Sequence, residues 1–166
     1  MEIMSLFIFN KMKIVAKIFL LNKKNEFLLY LRDNISGIPC PGEWDAIGGG
    51  INKGEKLIKG LQREIQEEIP GCDISNIKFI GETYAESDSG LNIIGYSINK
   101  DYKMQDKKNL LHQVNIFKGR INNDIEYINK VLTEGQKAGY FKFNKFPRNM
   151  SALLSNFVYK NKHKIL

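Results

Sequence analysis

Three glutamates, Glu64, Glu67 and Glu68, carry the clearest chemical signal in the sequence. In a helix, residues three and four positions apart lie on one face, so these carboxylates would project side by side. Like charges at such spacings weaken a helix by about 0.2–0.5 kcal/mol per pair, and Arg63 supplies only one cation beside them. A divalent ion would neutralise all three, and ligands made only of oxygen favour Mg²⁺ or Mn²⁺ over zinc. The alternative is a solvated acidic face that binds nothing.

The helix that would carry these glutamates is predicted from about residue 55 to residue 69. Leu57, Leu61 and Ile65 recur every fourth residue and give this helix an apolar stripe for burial. A glycine turn, Gly48-Gly49-Gly50, comes shortly before it. An ion held by the helix would bridge it to a phosphorylated substrate.

The segment 49–68 resembles the Nudix box. That pattern reads G, five residues of any kind, E, seven residues of any kind, R-E, an aliphatic residue, any residue, and E-E. Glu55 and the run Arg63-Glu64-Ile65-Gln66-Glu67-Glu68 fall at the required positions. The pattern continues with glycine after one more residue, but this chain has Pro70 there and Gly71 next. Proline cannot continue a helix and glycine suits the turn beyond it, so we expect the helix exit to be shifted by one residue.

The chain is therefore similar to the Nudix hydrolase family, which includes MutT-like nucleotide diphosphatases. The resemblance implies that the three glutamates are catalytic metal ligands, together with a backbone carbonyl at Gly48 or Gly49. Gly49 would also contact the substrate. Family members hydrolyse a nucleoside diphosphate linked to some other group X. Metal ions offset the diphosphate charge and activate a water that attacks phosphorus, while the protein positions and neutralises.

The resemblance gives roles to four further residues. Arg63 and Glu55 would pair and lock the glycine turn against the helix. Glu134 lies in a late segment that resembles the Nudix segment where E-G precedes an aromatic strand residue, and there a carboxylate reaches the metals or acts as base. The alternative for Glu134 is a surface or capping carboxylate. Arg32, in the L-R-D sequence before the glycine turn, would contact a phosphate or form a structural ion pair.

Two ring-bearing side chains are interpreted as structural. Trp44 precedes the glycine turn, and we expect it to pack in the core or against the turn rather than to stack on a base. His112 falls in a strand pattern, where a lone histidine is usually structural. Neither residue is expected to take part in catalysis.

The composition is ordinary for a globular protein, with 166 residues, 43% hydrophobic and 26% charged. We expect a single domain over residues 1–166, in which residues 1–12 form an extension or an edge strand. Only two cysteines occur, Cys40 and Cys72, so we expect no disulfide framework and a cytoplasmic location. Lysines interrupt the apolar N-terminal run, so neither a secretory signal nor a membrane span is expected.

The formal net charge of +7 favours anionic partners. Much of the excess lies in the last third of the chain, at Lys142, Lys145, Arg148, Lys160, Lys162 and Lys164. These residues form a solvated surface or attract polyphosphate or RNA ends. We expect a small-molecule nucleotide as partner, with an RNA 5′ end as an alternative. A homodimer is left open, and neither duplex DNA nor a membrane is expected.

The elements that must position these residues follow from apolar runs and alternation. Strands are predicted at 13–21, 27–31, 74–82, 91–99 and 110–118, with polar connections at 83–90 and 100–109. A short helix is predicted at 126–132. An amphipathic helix at 149–160 would pack on the sheet, with a membrane-surface helix as the rival interpretation. These elements indicate an α/β protein with a mixed β-sheet between helices, which agrees with the Nudix α/β/α sandwich.

Three functional hypotheses follow. The first is a metal-dependent diphosphatase acting on an ordinary or oxidised nucleoside triphosphate, a nucleotide sugar or a dinucleoside polyphosphate. The second is removal of pyrophosphate from an RNA 5′ end. The third is a non-catalytic nucleotide-binding or regulatory Nudix module. The intact Arg63 and the three box glutamates argue against the third, because a non-catalytic domain has no evident need for clustered like charges.

Overall fold

A computed structural model of the chain describes residues 13–87, 93–97 and 110–166. They form an α/β/α arrangement in which a mixed β-sheet lies between two sets of helices. The predicted fold class is confirmed. The expectations for residues 1–12 and 100–109 lie outside the described residues.

Seven strands form the sheet in this part of the chain. They are β1 (Lys13–Leu21), β2 (Phe27–Leu31), β3 (Trp44–Asp45), β4 (Ile74–Ser87), β5 (Ile93–Ser97), β6 (Leu110–Ile121) and β7 (Lys137–Phe141). Their order is β3-β2-β1-β6-β4-β5, and β7 pairs with β2. β1 and β6 run parallel, whereas the other named strand pairs are antiparallel. A parallel pair needs a long connection, and the glycine turn lies within it.

Four α-helices accompany the sheet in the described residues. They are α1 (Leu57–Glu68), α2 (Ile125–Val131), α3 (Ala152–Lys160) and α4 (Lys162–Ile165). A short 3₁₀ helix, Phe143–Lys145, precedes α3. The first three α-helices lie within a few residues of their predicted bounds, and α4 was not predicted.

Alternation along β1 divides the interior into two hydrophobic cores, because successive side chains of a strand point to opposite faces of the sheet. Ala16 and Ile18 belong to the core beneath α1 and α2. Phe19 and Leu21 belong to the core beneath α3 and α4. The helix that carries the box glutamates therefore packs on only one face of the sheet.

The start of α1 differs from the prediction. The helix begins at Leu57, and Glu55 stays outside it. The carboxylate of Glu55 accepts a hydrogen bond from the backbone N–H of Asn52 at 2.9 Å, which holds the residue in the preceding turn. Leu61 and Ile65 are buried beneath the helix, as the apolar stripe predicts.

The end of α1 follows the departure from the Nudix pattern. The helix ends at Glu68, one residue before the predicted end, and Pro70 follows. Gly71 has φ of +73°, in the left-handed region that glycine adopts without strain. The chain therefore turns away from the helix at Gly71, one residue later than the glycine of the Nudix pattern.

β4 is longer than predicted. It continues to Ser87, so the predicted connection at 83–90 is wrong for residues 83–87, and the remainder lies outside the described residues. Thr83 pairs with Val114 in β6, and the ladder extends to Glu86 opposite Leu110. Pairing with β6 and β5 thus prevails over the polar composition of this segment.

α3 begins three residues later than predicted, because the chain before it pairs with β3. The backbone N–H of Ser151 donates to Trp44 O at 2.9 Å. Leu154 and Phe157 are buried in the core beneath α3, so the apolar side of this helix packs on the sheet. No helix in the described ranges is long and apolar enough to cross a membrane.

Candidate active site

The glycine turn runs beside β1 as a short antiparallel neighbour. The N–H of Ala16 donates to Gly49 O at 3.0 Å, and the N–H of Ile51 donates to Ile14 O at 2.8 Å. Gly48 has φ of +124°, and a Cβ at this position would overlap the carbonyl oxygen of Ala16. Only glycine permits this approach, so the first glycine of the turn is required by the backbone.

Gly49 is in contact with the first box glutamate. A Cβ at Gly49 would overlap the carboxylate of Glu64, so a larger residue here would displace that carboxylate. Gly49 O already accepts the hydrogen bond from Ala16, whereas no hydrogen bond to Gly48 O is found in the described ranges. Of the two carbonyls considered as a metal ligand, that of Gly48 is therefore the more available.

Glu68 is the buried member of the three box glutamates, with only 3% of its surface exposed. Its Oε2 accepts a hydrogen bond from the N–H of Gly48 at 2.9 Å. Burial raises the pKa of Glu68 to about 7; nearby Glu134 and Asp45 act in the same direction, while Lys17 and the Gly48 N–H oppose the rise. A carboxyl in such surroundings is a candidate functional group.

Arg63 is the centre of an outer arginine cluster, which we define as Arg63, Glu55, Glu64, Glu67 and Gly50. Its Nε and Nη2 donate to the two oxygens of Glu55, both at 3.0 Å. Nη2 also donates to Gly50 O at 2.8 Å, which ties the helix to the turn. Nη1 donates to Glu64 at 2.6 Å and to Glu67 at 3.1 Å. These bonds raise the pKa of Arg63, while the Arg63 bond lowers the pKa of Glu55.

Glu134 is positioned at the site by the backbone hydrogen bonds of residues next to it in the chain. The N–H of Thr133 donates to Glu68 O at 3.0 Å and so satisfies a carbonyl at the end of α1. The N–H of Gln136 donates to Leu31 O at 2.8 Å. Glu134 is thus held between the end of α1 and the end of β2.

A cavity of about 240 Å³ lies beside the glycine turn. Its lining includes six residues singled out from the sequence, namely Arg32, Gly48, Gly49, Glu64, Glu68 and Glu134. Glu55, Arg63 and Glu67 are not part of this lining, and the side chain of Glu67 is 58% exposed. The structure therefore brings two of the three box glutamates to the cavity and leaves Glu67 on the outer side of the helix.

The described part of the chain contains no group of three or more His, Cys, Asp or Glu side chains already placed to hold a metal ion. Glu64 and Glu67 turn toward Arg63, while Glu68 turns toward the Gly48 N–H. The donor types nevertheless fit a hard divalent ion, because the carboxylates of Glu64, Glu68 and Glu134 and the free carbonyl of Gly48 border one cavity and all are oxygen ligands. The metal assignment remains a prediction.

An inner cation cluster, defined as Lys17, Arg32 and Asp45, also borders the cavity. Lys17 Nζ lies 3.0 Å from Asp45 Oδ2, and Arg32 Nη1 lies 3.4 Å from the same oxygen. Arg32 Nη1 also donates to the hydroxyl of Tyr30 at 2.8 Å. Of the two roles open to Arg32 from the sequence, the ion pair is present, and the side chain borders the cavity as well.

The sequence analysis missed Lys17 and Asp45. Lys17 is buried in the middle of an aliphatic strand, and a lone lysine there was a signal that a buried partner exists. The nearby charge of Asp45 keeps the pKa of Lys17 above its ordinary value despite the opposing effect of burial. Asp45 is 28 residues away in sequence, so no local pattern connects the pair.

The two side chains interpreted as structural have different surroundings. Trp44 packs edge-on against Phe141 with ring centroids 4.8 Å apart, as expected of a packing residue. His112 is half-buried and borders the cavity, and its buried Nδ1 has no hydrogen-bond partner. Burial, assisted by Lys13, lowers the pKa of His112 below its ordinary value. His112 therefore belongs to the wall of the site.

Comparison with protein families places this geometry in a known class. A model of the NUDIX domain matches residues 11–102, which is more than half of the chain. The chain therefore belongs to the NUDIX domain family, and it is a Nudix hydrolase. Nudix hydrolases generally use divalent metal ions and act on small-molecule nucleotides.

Solved structures share the fold. The MutT protein from Methanosarcina mazei Go1 is 20% identical, with a TM-score of 0.61 over 92% of this chain and 94% of that one. The MutT NUDIX hydrolase from Burkholderia pseudomallei is 13% identical, with a TM-score of 0.61 over 90% and 96%. DR0079 from Deinococcus radiodurans is 12% identical, with a TM-score of 0.60 over 90% and 82%. At these identities the likeness concerns the fold alone. A comparison with curated proteins yields no significant match.

Proposed function

We propose that this Nudix hydrolase cleaves a diphosphate linkage in a nucleoside diphosphate-X substrate with the help of Mg²⁺ or Mn²⁺. The observation that carries the proposal is one cavity bordered by the glycine turn, Glu64, Glu68 and Glu134. Glu64, Glu67, Glu68 and the carbonyl of Gly48 would hold the ion. A divalent ion bound there would offset the diphosphate charge and lower the pKa of a bound water.

The residues around the cavity divide the remaining work. Glu68 is fixed by the Gly48 N–H, which orients its carboxylate toward the turn. Glu134 would accept the proton of the attacking water at its carboxylate. Arg32 and Gly49 would contact the substrate. Arg63 would keep the turn and α1 in register through Glu55 and Gly50, without touching the substrate.

Glu64 and Glu67 must change partners for this role. Both carboxylates contact Nη1 of Arg63, and the Glu64 contact is the shorter. Since Arg63 has two further acceptors in Glu55 and Gly50, it can stay in place when these carboxylates turn away. The outer arginine cluster would then hold both carboxylates beside the turn until an ion binds.

The range of substrates includes nucleoside triphosphates, oxidised nucleotides, nucleotide sugars and dinucleoside polyphosphates. An RNA 5′ end is the alternative drawn from the basic last third of the chain. The side chains of Lys142, Lys145, Arg148, Lys160, Lys162 and Lys164 are exposed, and none borders the cavity. No observation therefore favours RNA over a small nucleotide.

The test is product analysis on a panel of nucleotides and a 5′-triphosphate RNA, with Mg²⁺ or Mn²⁺. Wild-type protein should release a nucleoside monophosphate and a second phosphorylated fragment. Glu68→Gln should lower turnover by more than about 100-fold. Substitution of a residue that only supports a metal ligand costs up to about 100-fold, and a ligand itself should cost more. Glu126→Gln, an exposed glutamate on α2, is the matched control and should retain full turnover.

Folding is followed by circular dichroism in every variant. Equal turnover of wild type and Glu68→Gln, or turnover that persists after removal of divalent ions by EDTA, would contradict the proposal. Cleavage of the RNA and of no small nucleotide would support the alternative hypothesis, in which the substrate is an RNA 5′ end. No turnover of any compound by the folded wild type would also reject it.

A further inference from the structure

The inner cation cluster brings two positively charged side chains to the cavity. Lys17 and Arg32 share a single carboxylate, that of Asp45. The three side chains are 10%, 17% and 9% exposed, so water screens their charges weakly. Within the cluster two cations share one carboxylate, and the next nearby anion, Glu68, is itself held by the N–H of Gly48.

The hydrogen bonds within the cluster leave donors unused. Asp45 Oδ1 accepts from the N–H of Ala46 at 2.9 Å, and Oδ2 accepts from both cations. Lys17 Nζ donates to Asp45 and to Ala46 O at 3.1 Å, which occupies two of its three hydrogens. Arg32 Nε is buried and has no hydrogen-bond partner. A ligand that completes this cluster must bring acceptors.

The lining of the cavity also contains negatively charged side chains. Glu64, Glu68 and Glu134 line it together with the inner cation cluster. A substrate whose diphosphate is held near the glutamates by metal ions would extend toward Lys17 and Arg32. The volume of about 240 Å³ is below the usual range for a whole ligand, so the cavity encloses one end of the substrate.

We propose that the inner cation cluster binds an anionic group of the substrate, a phosphate or a carboxylate, with Lys17 as the residue that decides specificity. This inference rests on the proposed function, because it uses the same cavity as the substrate site. It narrows the range of substrates to compounds that carry a further anionic group beyond the cleaved diphosphate, either in X or in the nucleoside part. Neutral sugars leave the positive charge of the cluster uncompensated.

The competing interpretation is that Lys17 only holds β1 to the Asp45-Ala46 segment. That role predicts a loss of stability in Lys17 variants and no change in the choice of ligand. Lys17 also lies near Glu68, so its removal can weaken the metal end of the site. Such a loss would fall equally on all substrates. The selectivity between matched ligands therefore separates the two interpretations.

The first arm measures binding without metal. Wild type, Lys17→Met and the control Lys118→Met are titrated in EDTA with inorganic phosphate, pyrophosphate and an unphosphorylated nucleoside. Lys118 is a lysine of β6 that bonds to Ile165 O and does not border the cavity. We expect Lys17→Met to weaken phosphate binding by about tenfold or more, and Lys118→Met to leave it unchanged. Equal binding in the two variants, or nucleoside binding in place of phosphate binding, would overturn the inference.

The second arm measures kcat/KM with Mg²⁺ for a nucleoside triphosphate and for a nucleoside diphosphate hexose of the same base. Wild type should prefer the triphosphate, and Lys17→Met should lower that preference by about tenfold or more. An equal loss on both substrates would overturn the inference. Phosphate binding that depends on Lys17 without any turnover would reject the proposed function alone. Turnover with an unchanged preference would reject the inference alone.

A folding failure is covered by a second substitution. If Lys17→Met does not fold, as judged by circular dichroism, Arg32→Gln takes its place in both arms. Arg32→Gln keeps the Lys17–Asp45 pair and removes the second cation of the cluster. The same loss of phosphate binding and of triphosphate preference is expected, and its absence in the folded variant would overturn the inference.

Discussion

The inner cation cluster and the outer arginine cluster border the same glycine turn and differ in burial. In the inner cluster, the side chains of Lys17 and Asp45 are 10% and 9% exposed. In the outer cluster, Arg63 is 29% exposed and Glu67 is 58% exposed, while Glu64 and Glu55 are 15% and 18% exposed, close to the 17% of Arg32 in the inner cluster. The inner cluster joins β1 and the residue after β2 to β3, whereas the outer cluster joins α1 to the turn.

Because of this difference in burial, we expect the inner cluster to be rigid and the exposed part of the outer cluster to change its contacts easily. A buried charge that loses its partner keeps its desolvation cost, so the inner cluster holds one arrangement firmly. An exposed carboxylate that leaves its partner is solvated by water, so the ion pair contributes little and is easily exchanged. Of the two glutamates that must change partners to hold an ion, Glu67 is exposed in this way, and Glu64 is largely buried but borders the cavity into which it would turn.

The largest expected effect comes from removing the shared carboxylate of the inner cluster. Asp45→Ala leaves Lys17 and Arg32 without a counter-charge and should lower the free energy of unfolding by about 3–5 kcal/mol. Urea denaturation measures it. Asp73→Ala is the control, since Asp73 is exposed and its carboxylate accepts from the neutral Asn122. A loss of less than about 1 kcal/mol, the range of surface pairs, would show that the two clusters do not differ as described.

The glycine turn between the clusters should give an intermediate effect. Gly48→Ala places a Cβ against the backbone of β1 at positive φ, and should cost about 1–3 kcal/mol of unfolding free energy. Gly50→Ala is the matched control, because a Cβ there meets no atom within 4 Å, and its effect should stay within about 0.5 kcal/mol. Urea denaturation of both variants checks the prediction. Equal losses would mean that the approach of the turn to β1 is not what requires glycine.

The smallest effect on stability is expected in the outer cluster. Arg63→Gln should shift the urea midpoint less than Asp45→Ala, because Glu67 is exposed and Glu55 and Glu64 line surface cavities where water can reach them. Its turnover should nevertheless fall by about 10–100-fold, since Arg63 orients the turn and two box glutamates. A midpoint shift as large as that of Asp45→Ala, or turnover equal to wild type, would remove the distinction between a stabilising cluster and an adjustable one.

Local patterns predicted most of the fold. β1 and β2 have the predicted bounds, because each is a short apolar run between turn residues. β4 was underestimated, since the polar residues after Glu82 pair with β6 and β5 through the backbone. The late start of α3 has a similar cause in the pairing of Ser151 with Trp44. Partners distant in sequence decide such boundaries, and no local window contains them.

The candidate site was predictable in part. The box and the E-G segment identified Glu64, Glu68 and Glu134 as a group, and these three border one cavity. The same pattern predicted that Glu67 would lie at the site as Glu64 and Glu68 do, but the carboxylate of Glu67 is exposed and held by Arg63. Spacing along a helix fixes the direction of a side chain and does not fix which partner its end selects.

The sequence by itself determined the family, the helix that carries the glutamates and the glycine next to them, because these depend on residue spacing and backbone conformation. The tertiary structure alone decided that Lys17 meets Asp45 and Arg32 beneath the cavity. Their pairing depends on the register of β2, β3 and the turn against β1, which is set by long-range backbone hydrogen bonds and by the core. A buried lysine in a strand indicates only that an acidic or polar partner must exist, and the fold determines which residue that partner is.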